Sequence, residues 1–138
     1  MAARSPVRFL VVPGVVVLGA LLAWAGSSGG ERLDWLPVFA LAVAVAYVVQ
    51  WIAFIPAWQK QTEVHFDLTG ALTYISVTLL VLGLVDERGP RTLLLAGLIV
   101  VWAARLGSFL FLRVRGAGGD GRFDHIKPDP LRFLGVWT

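Results

Sequence analysis

The chain has 138 residues, of which 57% are hydrophobic and 15% charged, with a mean hydropathy of +0.76, no cysteine and a formal net charge of +3. That balance lies outside ordinary soluble domains and marks an integral membrane protein. The absent cysteines exclude disulfides, thiolate metal sites and thiol nucleophiles, and the basic residues gather in loops beside apolar runs, which reads as membrane orientation rather than nucleic-acid binding.

A hydrocarbon core of roughly 30 Å needs about 20 apolar residues in a helix. Four stretches meet or approach that length: Val7 to Ala25, Trp35 to Trp58, Leu68 to Val85 and Thr92 to Leu112. The first also has the form of a secretory signal, a basic start and an apolar run ending in "AWAG", so retained helix and cleaved signal are both open readings. Pro13 interrupts that run without excluding it, because proline is tolerated in membrane helices. The connections "GSSGGERLD", "QKQTEVHFD" and "DERGPR" are too short for a domain and make sequence neighbours antiparallel neighbours. The expected fold is an all-α, polytopic transmembrane bundle of about four helices, one integral membrane domain over residues 1–138.

Lys and Arg set the orientation. With the amino terminus inside, the cytoplasmic side receives Arg4, Arg8, Lys60, Arg113, Arg115, Arg122, Lys127 and Arg132, and the other side only Arg32, Arg88 and Arg91. The expectation is therefore a prokaryotic cytoplasmic-membrane protein with its amino terminus and a basic loop, residues 113–130, in the cytoplasm. "LRFLGVWT" reads as the start of a fifth apolar segment, so the chain is expected to be incomplete at its carboxy terminus. Ala103 and Gly107, like Ala40 and Ala44, place small residues four apart, which lets helix backbones approach closely in lipid.

Arg105 is the charge that asks for an explanation. It sits about seven residues, or roughly 10 Å, inside the expected end of its helix. A charge there costs about 2.5 kcal/mol or more near the centre unless it snorkels or finds a partner. Trp102, Arg105, Phe109 and Arg113 share one helical face, and Asp67, Gly70, Tyr74 and Thr78 share another. A tight hairpin about "DERGPR" puts Arg105 level with Leu72, so Asp67 and Arg105 are expected to face each other directly or through a bound anion. A structural pair or plain snorkelling is the competing account.

"GAGGDG", Gly116 to Gly121, matches a G-x-G-x-x-G string but follows a membrane helix, where the dinucleotide turn needs a strand before it and a helix after it. The Rossmann reading is rejected. Glycines still let backbone wrap a ligand, with Arg113, Arg115, Arg122 and Lys127 as phosphate donors; the alternative is a flexible loop on anionic lipid. His65 and His125 lack the spacing of a helical metal site, so no metal is expected. Glu63 and Asp67 stand four apart as a possible acid–base pair, although interfacial carboxylates are more often solvated. Most tryptophans stand near segment ends as interfacial anchors do, with Trp51 and Trp102 deeper.

"KQTEVHFDLTGALTYISVTLLVL" and "WAARLGSFLFLRVRGAGGDGRFDHIKPDPLRFLGVW" resemble membrane proteins of unknown function related to the carboxy-terminal domain of steroid 5-alpha-reductases. Asp67, Thr69, Gly70, Trp102, Arg105, Leu106, Gly107, Arg113, Asp120, Arg122 and Phe123 carry the resemblance. It implies a polytopic helical fold opening to the cytoplasm, NADPH as hydride donor and a lipid-like or steroid-like unsaturated substrate. It implies Asp67, Arg105, Arg113, Asp120 and Arg122 as cofactor contacts and leaves the catalytic residues unknown. Two departures stand beside it: a Gln-Glu-Leu-Pro type motif is missing, and the chain stops before the further helices and the asparagine- and histidine-containing cofactor motif of such proteins. The same superfamily resembles isoprenylcysteine methyltransferases, so an S-adenosylmethionine-dependent methyltransferase is one alternative. A non-enzymatic membrane protein whose loop binds anionic lipid or a partner is the other.

Overall fold

The computed structural model describes residues 7–138; Arg4, counted above toward orientation, and the first residues of the signal-like stretch lie outside the described residues. The described chain is helical almost throughout: α1 (Arg8–Gly26), α2 (Val38–Gln59), α3 (Phe66–Leu84), α4 (Pro90–Ala117) and α5 (Pro130–Trp137). The first four are long and apolar enough to cross a membrane, so the expected all-α class is the observed one.

Between α1 and α2 a minimal ladder pairs β1 (Arg32–Leu33) with β2 (Leu36–Pro37), antiparallel. Asp34 turns the chain at a φ of 55°, a left-handed conformation that Asp tolerates better than most side chains. The ladder delays α2 to Val38, three residues after the expected start at Trp35. At its other end α4 passes the expected stop at Leu112 and continues through Arg113 and Arg115 to Ala117. The basic loop expected over 113–130 is thus corrected to 118–129. Hydropathy reads where lipid contact ends, whereas arginine is a good helix former and carries the hydrogen bonds onward into water. At 1.5 Å per residue α4 is about 42 Å long, more than a hydrocarbon core of roughly 30 Å requires.

α4 packs chiefly on α3, α3 on α2, and α5 folds back onto α1 and α2. The α3–α4 seam depends on small residues. Ala103 is buried, and a Cβ at Gly107 would overlap that of Ala71. Close approach of this kind replaces the hydrophobic drive that lipid removes. Gly107 opposite Ala71 also confirms the expected hairpin register, which set Arg105 level with Leu72.

α5 opens with Asp129, whose carboxylate accepts from the Leu131 and Arg132 amides, and with Pro130 at the first helical position, both favoured at a helix start. Read alone, this segment looks like the start of a membrane span. In the fold it is an amphipathic helix that buries Phe133 and Trp137 beside Ala57 and Phe123. Phe66 meets Trp137 edge-on at 5.2 Å and Phe123 at 5.3 Å; aromatic pairs of this type add about 0.5–1.5 kcal/mol each beyond burial. This cluster roofs one end of the bundle, where the α2–α3 and α4–α5 connections meet.

Candidate functional site

The glycines of "GAGGDG" first do a structural task. Gly118 adopts a φ of 78° and ends α4, its N–H donating to Arg115 O, while the Gly119 N–H donates to Val114 O at 3.1 Å. These are the two bonds of a Schellman cap. Gly119, at a φ of 144°, brings the backbone so close to Glu63 that a Cβ there would stand 3.0 Å from Oε1. The Asp120 N–H then donates to Glu63 Oε1 at 2.7 Å.

Glu63 is only 4% exposed, which corrects the expectation of a solvated interfacial carboxylate. Its Oε2 pairs with Lys127 Nζ at 2.8 Å, and Lys127 also reaches Asp124 at 3.2 Å. Burial pushes the Glu63 pKa up, but the Lys127 hydrogen bond and the Asp120 amide outweigh it and hold the carboxyl below its ordinary value. The same bond to Glu63 raises the Lys127 ammonium against the opposing pull of burial. Lys127, expected as a phosphate donor, is therefore committed to a latch between the two connections. Sequence reasoning missed this pair: two opposite charges in loops on the same side of the membrane were the only signal.

Asp120 and Arg122 form a second pair, with Arg122 exposed and the Asp120 side chain 13% exposed. Arg122 Nε lies 2.9 Å from each carboxylate oxygen, and Nη2 closes the fork on Oδ2. The Arg122 hydrogen bonds bring the Asp120 pKa down to about 2, with a further contribution from Arg113. Arg122 is raised chiefly by Asp120 and in part by the charge of Asp67. Of the five residues expected at the cofactor, Arg122 and Arg113 thus act on Asp120, and Asp67 acts on Arg122. Arg113, Gly119, Asp120, Gly121 and Arg122 line a shallow cleft of about 430 Å³ at the end of α4.

Arg105 does not join them. It is exposed on α4, and no ion pair to Asp67 is present among the described residues. The register is right but the face is not. Ala103 and Gly107 turn inward to α3, and a residue two positions from either points nearly the opposite way at 100° per residue. Trp102, Arg105, Phe109 and Arg113 do share a face, and all four are exposed.

Asp67 stands in the first turn of α3, where the helix dipole favours a carboxylate. It borders an intramembrane cavity of about 170 Å³ between α2, α3 and α4, with Gln50, Gly70, Tyr74, Trp102 and Leu106. Trp102 meets Tyr74 edge-on at 5.4 Å. Trp51 instead donates its indole N–H to Thr138 Oγ1 at 3.1 Å. Among the described residues no three His, Asp or Glu side chains gather as metal ligands would. His65 packs its ring at 5.7 Å from Phe111, and His125 is exposed.

No curated protein and no solved structure matches the chain. A family model does match it, that of "Protein of unknown function (DUF1295)", over residues 51–138. The match runs from within α2 through α3, α4 and α5 and takes in the latch, the cleft and Asp67; the chain belongs to the DUF1295 family.

Proposed function

We propose that the chain belongs to a membrane-embedded, NADPH-dependent reductase of the steroid-reductase-like type, acting on a lipid-like unsaturated substrate. The observation that carries the reading is the junction at Asp67. This carboxylate borders the intramembrane cavity and acts electrostatically on Arg122 of the charged cleft, so a water-soluble cofactor and a membrane-dissolved substrate would approach each other there.

The donor set suits a dinucleotide. Arg113 and Arg122 offer guanidinium groups to phosphates, the backbone at Gly119 and Gly121 admits close approach, and the ionised Asp120 is an acceptor for ribose hydroxyls. Arg105 lies on the same face of α4 as Arg113, nearer the middle of the helix. NADPH would supply the hydride; the chain's own residues would bind and orient it.

A second reading has its own observation. Lys127 is spent on Glu63, and Arg122 is neutralised by Asp120, which leaves Arg113 and Arg115 exposed on the last turns of α4. Two such cations suit anionic lipid head groups equally well.

Titration calorimetry of NADPH into the purified full-length protein in detergent separates the two, with NADH as control and Arg113→Ala, Arg122→Ala and Arg105→Ala alongside. Selective NADPH binding that Arg113→Ala and Arg122→Ala abolish supports the reductase reading. No binding by protein shown to be folded removes it and favours lipid anchorage.

A further inference from the structure

One of the two arginines that line the charged cleft is already engaged. Arg122 Nε donates to both Asp120 carboxylate oxygens at 2.9 Å, and Nη2 closes the fork on Oδ2. This is the planar, two-point grip that a guanidinium offers to a phosphate. A phosphate entering the cleft beside Arg113 and Arg122 therefore meets a carboxylate that already holds the donors it needs.

The two partners are not equally free to move. Asp120 is tied down twice: its backbone N–H donates to Glu63 Oε1 at 2.7 Å, and its Oδ1 accepts from the Arg122 backbone N–H at 3.1 Å. The Arg122 side chain is 70% exposed. When the guanidinium turns away, the Asp120 carboxylate keeps the Arg122 amide as a partner, so the exchange does not strip it of hydrogen bonds.

From this we infer that Asp120 is a built-in competitor in the cleft, holding Arg122 until a phosphate group takes the guanidinium in its place. The inference rests on reading the cleft as a phosphate site, whether the phosphate belongs to a soluble nucleotide or to a lipid head group. It adds an autoinhibitory contact to that site. An ion pair at the surface is weak, so the contact sets a threshold and does not block the cleft. A phosphate brings more acceptor oxygens than a carboxylate, and Arg113 adds a second cation. The same exchange frees the Asp120 oxygens, which the cofactor reading assigns to ribose hydroxyls.

The test is titration calorimetry of inorganic pyrophosphate into the full chain in phosphatidylcholine nanodiscs. Asp120→Asn keeps an oxygen for the Arg122 amide but gives up the charge, and should bind pyrophosphate about fivefold more tightly than wild type, the factor a surface ion pair can supply. Two controls separate release of the arginine from loss of a negative charge. Asp124 carries an equal charge beside the cleft, its Oδ2 3.8 Å from where a Cβ at Gly121 would stand, but it pairs with Lys127; Asp124→Asn should change the affinity little. In an Arg122→Gln background the gain from Asp120→Asn should vanish, because no guanidinium is left to release. Equal gains from Asp120→Asn and Asp124→Asn, or a gain that persists without Arg122, would overturn the inference. Wild type and Asp120→Asn binding pyrophosphate equally well would also overturn it, while leaving the cleft as a phosphate site. No binding by any folded variant would remove the phosphate site and the exchange with it. Should Asp120→Asn not fold, Asp120→Ser, which also offers the amide an oxygen, decides in its place. Phosphatidylglycerol added to the nanodisc tells the sources apart. If it abolishes pyrophosphate binding to Asp120→Asn, the exchange belongs to lipid head groups; if binding persists, it belongs to a soluble phosphate.

Discussion

At one end of the bundle the α2–α3 and α4–α5 connections are joined by a buried carboxylate, a lysine and a cluster of aromatic rings. At the other, the α3–α4 connection from Asp86 to Gly89 is exposed, and its Arg88 reaches only Gly83 O, within the same hairpin, at 3.1 Å. The contrast separates two tasks given to loops of similar polarity. The second loop has only to reverse the chain. The first holds Asp120 and Arg122 in place beside Asp67, and charges can be positioned for a ligand only by a frame that does not itself move.

The largest effect is expected at the latch. Glu63→Ala leaves Lys127 without its main partner and should cost about 3 kcal/mol or more, read by denaturant unfolding in detergent. The double variant Glu63→Leu with Lys127→Met should recover most of that loss, because apolar groups of similar volume replace the pair without leaving a buried charge. Single-variant losses below about 1 kcal/mol would reduce the latch to an ordinary surface pair.

Next comes the α3–α4 seam. Gly107→Leu drives a side chain into Ala71 and should cost about 1–3 kcal/mol, whereas Gly97→Leu on the same helix meets open space and should stay within about 0.5 kcal/mol. Equal effects at the two glycines would show that the seam is not set by close approach.

The response to pH tests the latch more gently. Glu63 lies below its ordinary 4.5, so its contribution is present above that pH and disappears as pH falls through the lower folded value. Lys127 lies above its ordinary 10.5, so its contribution is present below that pH and disappears as pH rises through the higher folded value. Stability should therefore be flat between these limits and fall outside them, and the Glu63→Leu, Lys127→Met double variant should lose both flanks in thermal melts. An acid flank unchanged in the double variant would assign it to other carboxylates.

The smallest effect is expected at Arg105. Exposed and without an ion-pair partner among the described residues, it should tolerate Arg105→Ala within about 0.5 kcal/mol. A larger loss of unfolding free energy would restore a structural role for this residue.

Much of the site was legible residue by residue and little of it as an arrangement. Asp67, Arg113, Asp120 and Arg122 stand out in the sequence as charges at the margin of apolar runs, and the fold sets Arg122 and Arg113 to act on Asp120 and Asp67 to act on Arg122. Arg105 stands out for the same reason, yet it is exposed and makes no ion pair with Asp67 among the described residues. Helical spacing tells which residues share a face but not which face meets the neighbour, and here the small residues Ala103 and Gly107 made that choice. Beyond their opposite charges in loops on one side of the bundle, Glu63 and Lys127 gave no sign of pairing, because 64 residues of chain separate them and burial of a carboxylate depends on what folds over it.

By itself the sequence determined four helices long and apolar enough to span a membrane, the antiparallel order of neighbours and the hairpin register of α3 and α4, because lipid makes apolar length a direct readout and short loops leave no other connectivity. Only the tertiary structure decided that α4 outlasts its hydropathy, that α5 turns back as a roof and that Glu63 is buried. Each of these follows from contacts between segments distant in the chain, where neighbours in space, rather than in sequence, set which polar atoms find partners.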